Sequence, residues 1–398
     1  MNRRLTLLGL AGYLLIGTAA VLVPSVMPLL TDEFVAAGLT LAAIGVIFPA
    51  RSVGGILGNL LAGIGSDEVG RSRLVWVSAL LLAAALGMTA IARFWPLFVG
   101  GFVLVSAAQG ALATGINALI ADANQGARAK ALNTLHGVYG AGAAVSPLVI
   151  GYWIDQGVAW RWALGGTGLI WLVYAIAAYL LYGKASAERR SEGLQKLDLG
   201  MLRAGPFLAL FLIAFVYNGV AYSLLGWVAV FMRDAAGVST FLSVAMISVF
   251  YVALTLGRFL CAAFVERIGY ATIFLLLAVG ITLTYPLVVL GIHSLLVAVG
   301  VFLTGLSLSG LFPTALAYGA RLYPGRTGTV TGTLNVAMTL GGMIPPLWTG
   351  VIAEGWGLQV ALGVNYILVP PLILLALYLG RQDARRQKEF TGQATLQA

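Results

Sequence analysis

Ser146-Pro147-Leu148-Val149-Ile150-Gly151 returns 199 residues later as Pro345-Pro346-Leu347-Trp348-Thr349-Gly350. The same shift lays Gly58-Asn59 on Gly257-Arg258, Asp67 on Glu266, Gly70 on Gly269, Gly142 on Gly341 and Asp155 on Glu354. One ungapped offset serves all these pairs, and it is half of the 398 residues. Repetition at a fixed offset is the mark of a duplicated architecture. When the copies are membrane bundles, a binding site at their interface is the common arrangement, and one copy rocks against the other.

Both copies are too apolar for water. Charged residues are 9% and hydrophobic residues 60%, where soluble domains carry roughly 25% charged. The net charge of +9 does not point to nucleic acid, because the bases sit in short loops beside apolar runs. The single Cys261 excludes an internal disulfide framework. After Met1-Asn2-Arg3-Arg4 the apolar run from Leu5 to Leu30 is longer than a signal-peptide core of roughly 7–15 residues, so it reads as a first spanning helix.

A hydrocarbon core about 30 Å thick takes roughly 20 apolar residues per helix. Twelve such segments are predicted, near 5–30, 39–64, 74–92, 95–120, 131–154, 160–182, 204–231, 240–264, 270–290, 294–319, 328–352 and 357–380. The runs do not alternate as barrel strands do, and lipid obliges each segment to satisfy its own backbone. The expected fold is an all-α membrane protein with twelve transmembrane helices in two pseudo-symmetric six-helix bundles. Residues 1–182 and 204–380 would form the bundles, 183–203 a cytoplasmic linker with a surface-lying part (Leu194, Leu197, Leu199), and 381–398 a mobile cytoplasmic tail. Of the 23 Lys and Arg, 18 fall in the loops on the side of the N-terminus, and only Arg93, Arg161 and Arg233 in the opposite loops. Cytoplasmic loops carry the excess of bases. Both termini are therefore expected inside, in a cell (inner or plasma) membrane.

The turn after the second span reads Gly63-Ile64-Gly65-Ser66-Asp67-Glu68-Val69-Gly70-Arg71-Ser72-Arg73. It resembles the loop signature of the major facilitator superfamily, with Glu68 departing where a base is usual. A worn copy, Glu266-Arg267-Ile268-Gly269, follows the eighth span. The resemblance implies transport by alternating access. Helix N-termini carry about half a positive charge, so Asp67 is expected to cap the eleventh span and Glu266 the fifth, as inner contacts broken in each cycle. Gly140, Gly142, Pro147 and Pro346 mark spans five and eleven as close-packed, bendable seams.

All 14 Asp and Glu lie in loops or at helix ends, so no carboxylate is expected at the membrane centre. Two bases remain in spans. Arg51 reads either as an anion or sugar-hydroxyl contact or as a base satisfied by backbone carbonyls. Arg258 reads as a base reaching the inner surface near Glu266 or as a second anion contact. An intramembrane ionisable group is by default a functional candidate. His136 and Asn335 coincide under the 199-residue shift, and His136 is the candidate for any proton coupling. Gln109, Thr114 and Asn117 in span four, and Tyr217, Asn218, Tyr222 and Trp227 in span seven, supply amides and rings for a polyhydroxyl solute. Interhelical bonding is the competing reading of each.

Asn133, His136, Tyr139, Gly140, Gly142 and Pro147 in span five, Tyr217-Asn218-Gly219 through Trp227, and Gly310-Leu311-Phe312-Pro313-Thr314 are similar to the fucose–proton symporter-like sugar carriers. That branch often has acids where this chain has Ala113 and Ala221. The expectation is a monomeric carrier of a small polar solute, sugar or polyol, by facilitated diffusion or by symport. The alternatives are an organic or inorganic anion carrier using Arg51, and an exporter of amphipathic compounds or drugs. The sequence holds no metal-ligand cluster, nucleophile–base pair or nucleotide loop, so neither an enzyme nor a cofactor is expected. The bilayer and the solute are the expected partners.

Overall fold

The computed structural model describes residues 3–124, 128–182, 201–290, 293–324 and 326–397. Among them every regular element is a helix. Eleven helical runs are long and apolar enough to cross a membrane. The last, Thr329–Arg385, has 57 residues, about 85 Å at 1.5 Å per residue, which is far more than one crossing. It turns at Gly357, whose φ of 79° interrupts the helix, and so contains spans eleven and twelve. The linker falls outside the described residues, apart from a 3-10 turn at Met201–Arg203. At the C-terminal end, helix continues from Pro371 to Gln397, and Tyr318 of span ten donates to Asp383 at 2.5 Å.

Four spans are broken, each about one turn before a proline. Span one stops at Ala20 and restarts at Leu22, ahead of Pro24. Span two is split at Val46, ahead of Pro49. Span ten is split at Ser309–Gly310, ahead of Pro313. Span twelve tightens to 3-10 at Asn365–Leu368, ahead of Pro370 and Pro371. Proline has no N–H for the carbonyl four residues back, and its ring crowds that carbonyl.

The duplication appears in the backbone itself. All positive-φ residues are glycines, and they pair as Gly38 with Gly237, Gly70 with Gly269, and Gly157 with Gly357. Gly70 (φ 87°) and Gly269 (φ 86°) each start a helix, in a region closed to residues with a Cβ. The helix crossings repeat too. A methyl on Gly58 would lie 1.9 Å from the Ala107 carbonyl oxygen, and one on Gly257 2.7 Å from that of Leu306. Gly101 meets Thr89 as Gly300 meets Val288. A methyl on Gly142 would lie 2.1 Å from the Leu14 carbonyl oxygen, and one on Gly341 2.2 Å from that of Phe215.

The described chain forms two compact units. They do not follow the sequence midpoint. Leu225–Tyr251, the end of span seven and the start of span eight with their turn, packs with residues 1–193, and Ala353–Gly355 joins the same unit. The second unit holds Leu194–Leu224, Val252–Ile352 and Trp356–Ala398.

Because the Gly58 and Gly257 crossings leave no room for a Cβ, Gly58→Ala and Gly257→Ala should each destabilise by about 1–3 kcal/mol, typical of overpacking. Thermal unfolding in detergent reads this. Gly55→Ala, with open space around it, is the control expected to melt as wild type.

Candidate functional site

In the first unit, four of the expected site residues converge on span one. Pro24 leaves the Ala20 carbonyl without a helical donor. The Arg51 guanidinium donates to it at 3.1 Å. One turn away, Gln109 Nε2 donates to the Ile16 carbonyl at 3.0 Å. Arg51 therefore serves the carbonyl that the break in span one leaves open, and Gln109 makes an interhelical bond one turn before it.

Asn117 and His136 meet on Tyr13, which the sequence reading missed. The Tyr13 ring stands edge-on to His136, with centroids 5.4 Å apart. Its hydroxyl is hydrogen-bonded to Asn117. Asn117 Oδ1 is buried with no hydrogen-bond partner among the described residues. A buried acceptor left open is costly, about 1–3 kcal/mol, and it is complementary to an O–H or N–H from a solute. Thr114 donates to Asn59 at 3.1 Å, another polar contact of span four. His136 is exposed.

In the second unit, Asn218 Nδ2 donates to the Met338 carbonyl at 2.6 Å. Asn218 and Tyr222 face Gly342, where an added methyl would lie 2.8 Å from Asn218 Nδ2 and 3.8 Å from the Tyr222 ring. Arg258 reaches Tyr217, not the inner surface: its guanidinium donates to the hydroxyl at 3.2 Å. Tyr217 in turn stacks on Phe312, with centroids 6.0 Å apart, beside the break in span ten. Asn335 is exposed and belongs to neither group.

The proline device recurs in this unit. Pro286 orphans the Thr282 carbonyl, and the Tyr366 hydroxyl donates to it at 3.0 Å. Asn365 is fully buried, accepts from Trp348 Nε1 at 2.6 Å and donates to Thr349 at 2.9 Å.

Of the expected gating residues, the side chains of Gly63 and Asp67 lie outside the described ones. Gly70 opens span three, Arg71 donates to the Ala118 carbonyl at 3.4 Å, and Arg73 is exposed. Glu266 accepts from Tyr270 at 3.0 Å. Gly140, Pro147 and Pro346 are buried.

At the base-poor ends of its spans, the first unit holds contacts that no motif announced. Arg233 in span seven makes a two-pronged ion pair with Asp32 in span one, 2.7 Å in each prong. Asp155 in span five accepts from the Phe241 backbone N–H at 3.3 Å, in the first turn of span eight. Phe48 and Trp227 pack with centroids 6.0 Å apart, and Gly226 abuts the Phe48 ring. An acid on a helix N-terminus, the device expected of Asp67 and Glu266, is thus present at the base-poor end in Asp155.

Twelve spans, a doubled backbone and polar clusters facing its broken helices are the build of a membrane carrier. The sequence profile of the Major Facilitator Superfamily matches residues 9–346 and 246–397, and the chain belongs to that family of integral membrane transporters. It is 24% identical over 352 residues to the uncharacterized MFS-type transporter YfkL of Bacillus subtilis (strain 168), covering 87% of this chain and 88% of that one. It is 22% identical over 361 residues to the glucose/mannose transporter GlcP of the same organism, covering 86% of each. The crystal structure of a mutant of the nucleoside transporter NupG superposes with a TM-score of 0.79 at 14% identity, covering 94% of this chain and 98% of that one.

Arg51→Gln should lower stability by about 1.5–3 kcal/mol, the range for a hydrogen bond to a charged group. Pro24→Ala in that background restores a backbone donor to Ala20 and should recover much of the loss. Melting curves of the single and double variants measure this. Additive losses would mean that Arg51 does not serve that carbonyl.

Proposed function

We propose that this transporter carries a small neutral polyhydroxyl solute, a sugar or polyol, by alternating access. The observation that carries the reading is the open, buried Asn117 acceptor on the Tyr13–His136 pair. An amide oxygen accepts from a hydroxyl, and ring faces cover the apolar side of a sugar. A site that hydrogen-bonds a substrate hydroxyl rejects analogues lacking it strongly. The relatives GlcP, for glucose and mannose, and NupG, for nucleosides, have uncharged, hydroxyl-bearing substrates, which agrees in kind. An anion carrier is less well supported, because Arg51 is engaged by the Ala20 carbonyl. His136 remains the group for proton coupling, since no carboxylate of this sequence lies mid-span.

In this reading the outer contacts close one side. The Asp32–Arg233 pair, the Asp155 cap and the Phe48–Trp227 contact hold the turn between spans seven and eight against spans one, two and five. Opening outward breaks them. The inner contacts expected of Asp67 and Glu266 would close the other side in the alternate state. The chain works as a monomer, with residues 1–182 and 204–380 as the moving bundles.

Two measurements test this. Proteoliposomes should take up labelled hexose or polyol but not lactate, and Asn117→Ala should raise KM about tenfold, one lost hydrogen bond to substrate. Uptake of organic anions abolished by Arg51→Gln would sink the sugar reading. Separately, Asp32→Arg and Arg233→Asp should each slow uptake several-fold by placing like charges face to face. The double exchange should recover at least half of the rate; no recovery would remove the outer latch.

A further inference from the structure

Three bases stand at the outer ends of the spans: Arg93, Arg161 and Arg233. The bias of bases to the inner side makes each one notable. Two are accounted for. Arg233 is neutralised by Asp32 and Asp234. Arg161 pairs with Glu33, donates to the Ala90 and Ala92 carbonyls at 3.1 and 2.6 Å, and lies over the Trp160 ring. It closes the C-terminal end of span three, where carbonyls lack helical donors. Arg93 is different. It is exposed, and among the described residues no ion pair to it is recorded.

Arg93 borders a cavity of about 570 Å³, lined also by Glu33, Ala90, Ile91 and Arg161. The cavity is pre-built, since Trp160 Nε1 and Arg161 both hold Glu33. Its surroundings are apolar and exposed: Ile91 is 77% accessible, Phe94 76% and Trp162 65%. On a transporter's flank these faces meet hydrocarbon, and aromatic residues gather at the level of the headgroups. A cation beside a hollow at that depth, with acyl-sized apolar surface around it, matches a phosphate that carries lipid chains.

We propose that this outer cavity binds the phosphodiester headgroup of a phospholipid, with the phosphate on Arg93 and the acyl chains along Ile91, Phe94 and Trp162. Glu33, Arg161 and Trp160 shape the cavity without supplying its net charge. The site is separate from the Tyr13–Asn117–His136 cluster, and its occupancy would brace the ends of spans one, three and six.

The test uses the full chain, purified in detergent and stripped of lipid. It is titrated with short-chain phosphatidylglycerol and, separately, with glycerol phosphate. Binding is read by melting temperature and by lipid retained in native mass spectrometry. Phosphatidylglycerol should raise the melting temperature saturably. Arg93→Gln should weaken its apparent affinity about fivefold, the effect of one base near a lipid phosphate, while Arg93→Lys keeps most of it. Ile91→Asp, which sets a carboxylate at the rim, should weaken binding at least as much and covers the case in which Arg93→Gln fails to fold. Unchanged lipid affinity in these variants, or no retained lipid, overturns the proposal. Glycerol phosphate matching the full effect would assign the cavity to a free anion and overturn the lipid.

Discussion

A backbone carbonyl inside a membrane has no water to turn to, and this chain places prolines where they leave such carbonyls open. The answer is side-chain donors brought from other helices. Arg51 serves Ala20 across the break made by Pro24, and Tyr366 serves Thr282 opposite Pro286. Gln109 and Asn218 add amide donors to Ile16 and Met338. The break in span one, and the carbonyl that Pro286 frees in span nine, are therefore stabilised from outside their own helices. The same requirement explains why a charged residue is retained in mid-span.

Satisfied breaks make specific geometry available. Span one breaks two turns beyond Tyr13, and span ten breaks beside Phe312. In each unit, polar and aromatic side chains gather near such a break: Tyr13, Asn117 and His136 in one, Tyr217, Arg258 and Phe312 in the other. Glycines at Gly58, Gly142, Gly257 and Gly341 let the flanking helices touch backbone to backbone. Rigid contacts of this kind define a site by position, with few charges.

The base-poor ends of the spans use a different chemistry. Ion pairs and an N-terminal cap at exposed helix ends are individually weak, about 1 kcal/mol or less for exposed pairs. The two-pronged Arg233–Asp32 pair is the strongest of them in geometry, and it joins residues 201 positions apart in the chain. Such distance leaves no local trace, so no pattern of charges in the sequence marks it.

Hydropathy and the 199-residue repeat made the helical, twofold build legible, because lipid admits few spanning structures and duplication preserves turn glycines. The Gly70 and Gly269 turns were readable from their motif, whereas the Gly38–Gly237 and Gly157–Gly357 pairs were hidden among diverged neighbours. Prolines signalled the breaks one turn downstream of them. Amides and the histidine were recognisable as candidates by type alone. Packing alone decided which carbonyl Arg51 meets, that Tyr13 joins Asn117 and His136, and that Leu225–Tyr251 packs with the first six spans. Those outcomes depend on which helix faces meet in space, and the spacing of residues along one helix does not specify its neighbour.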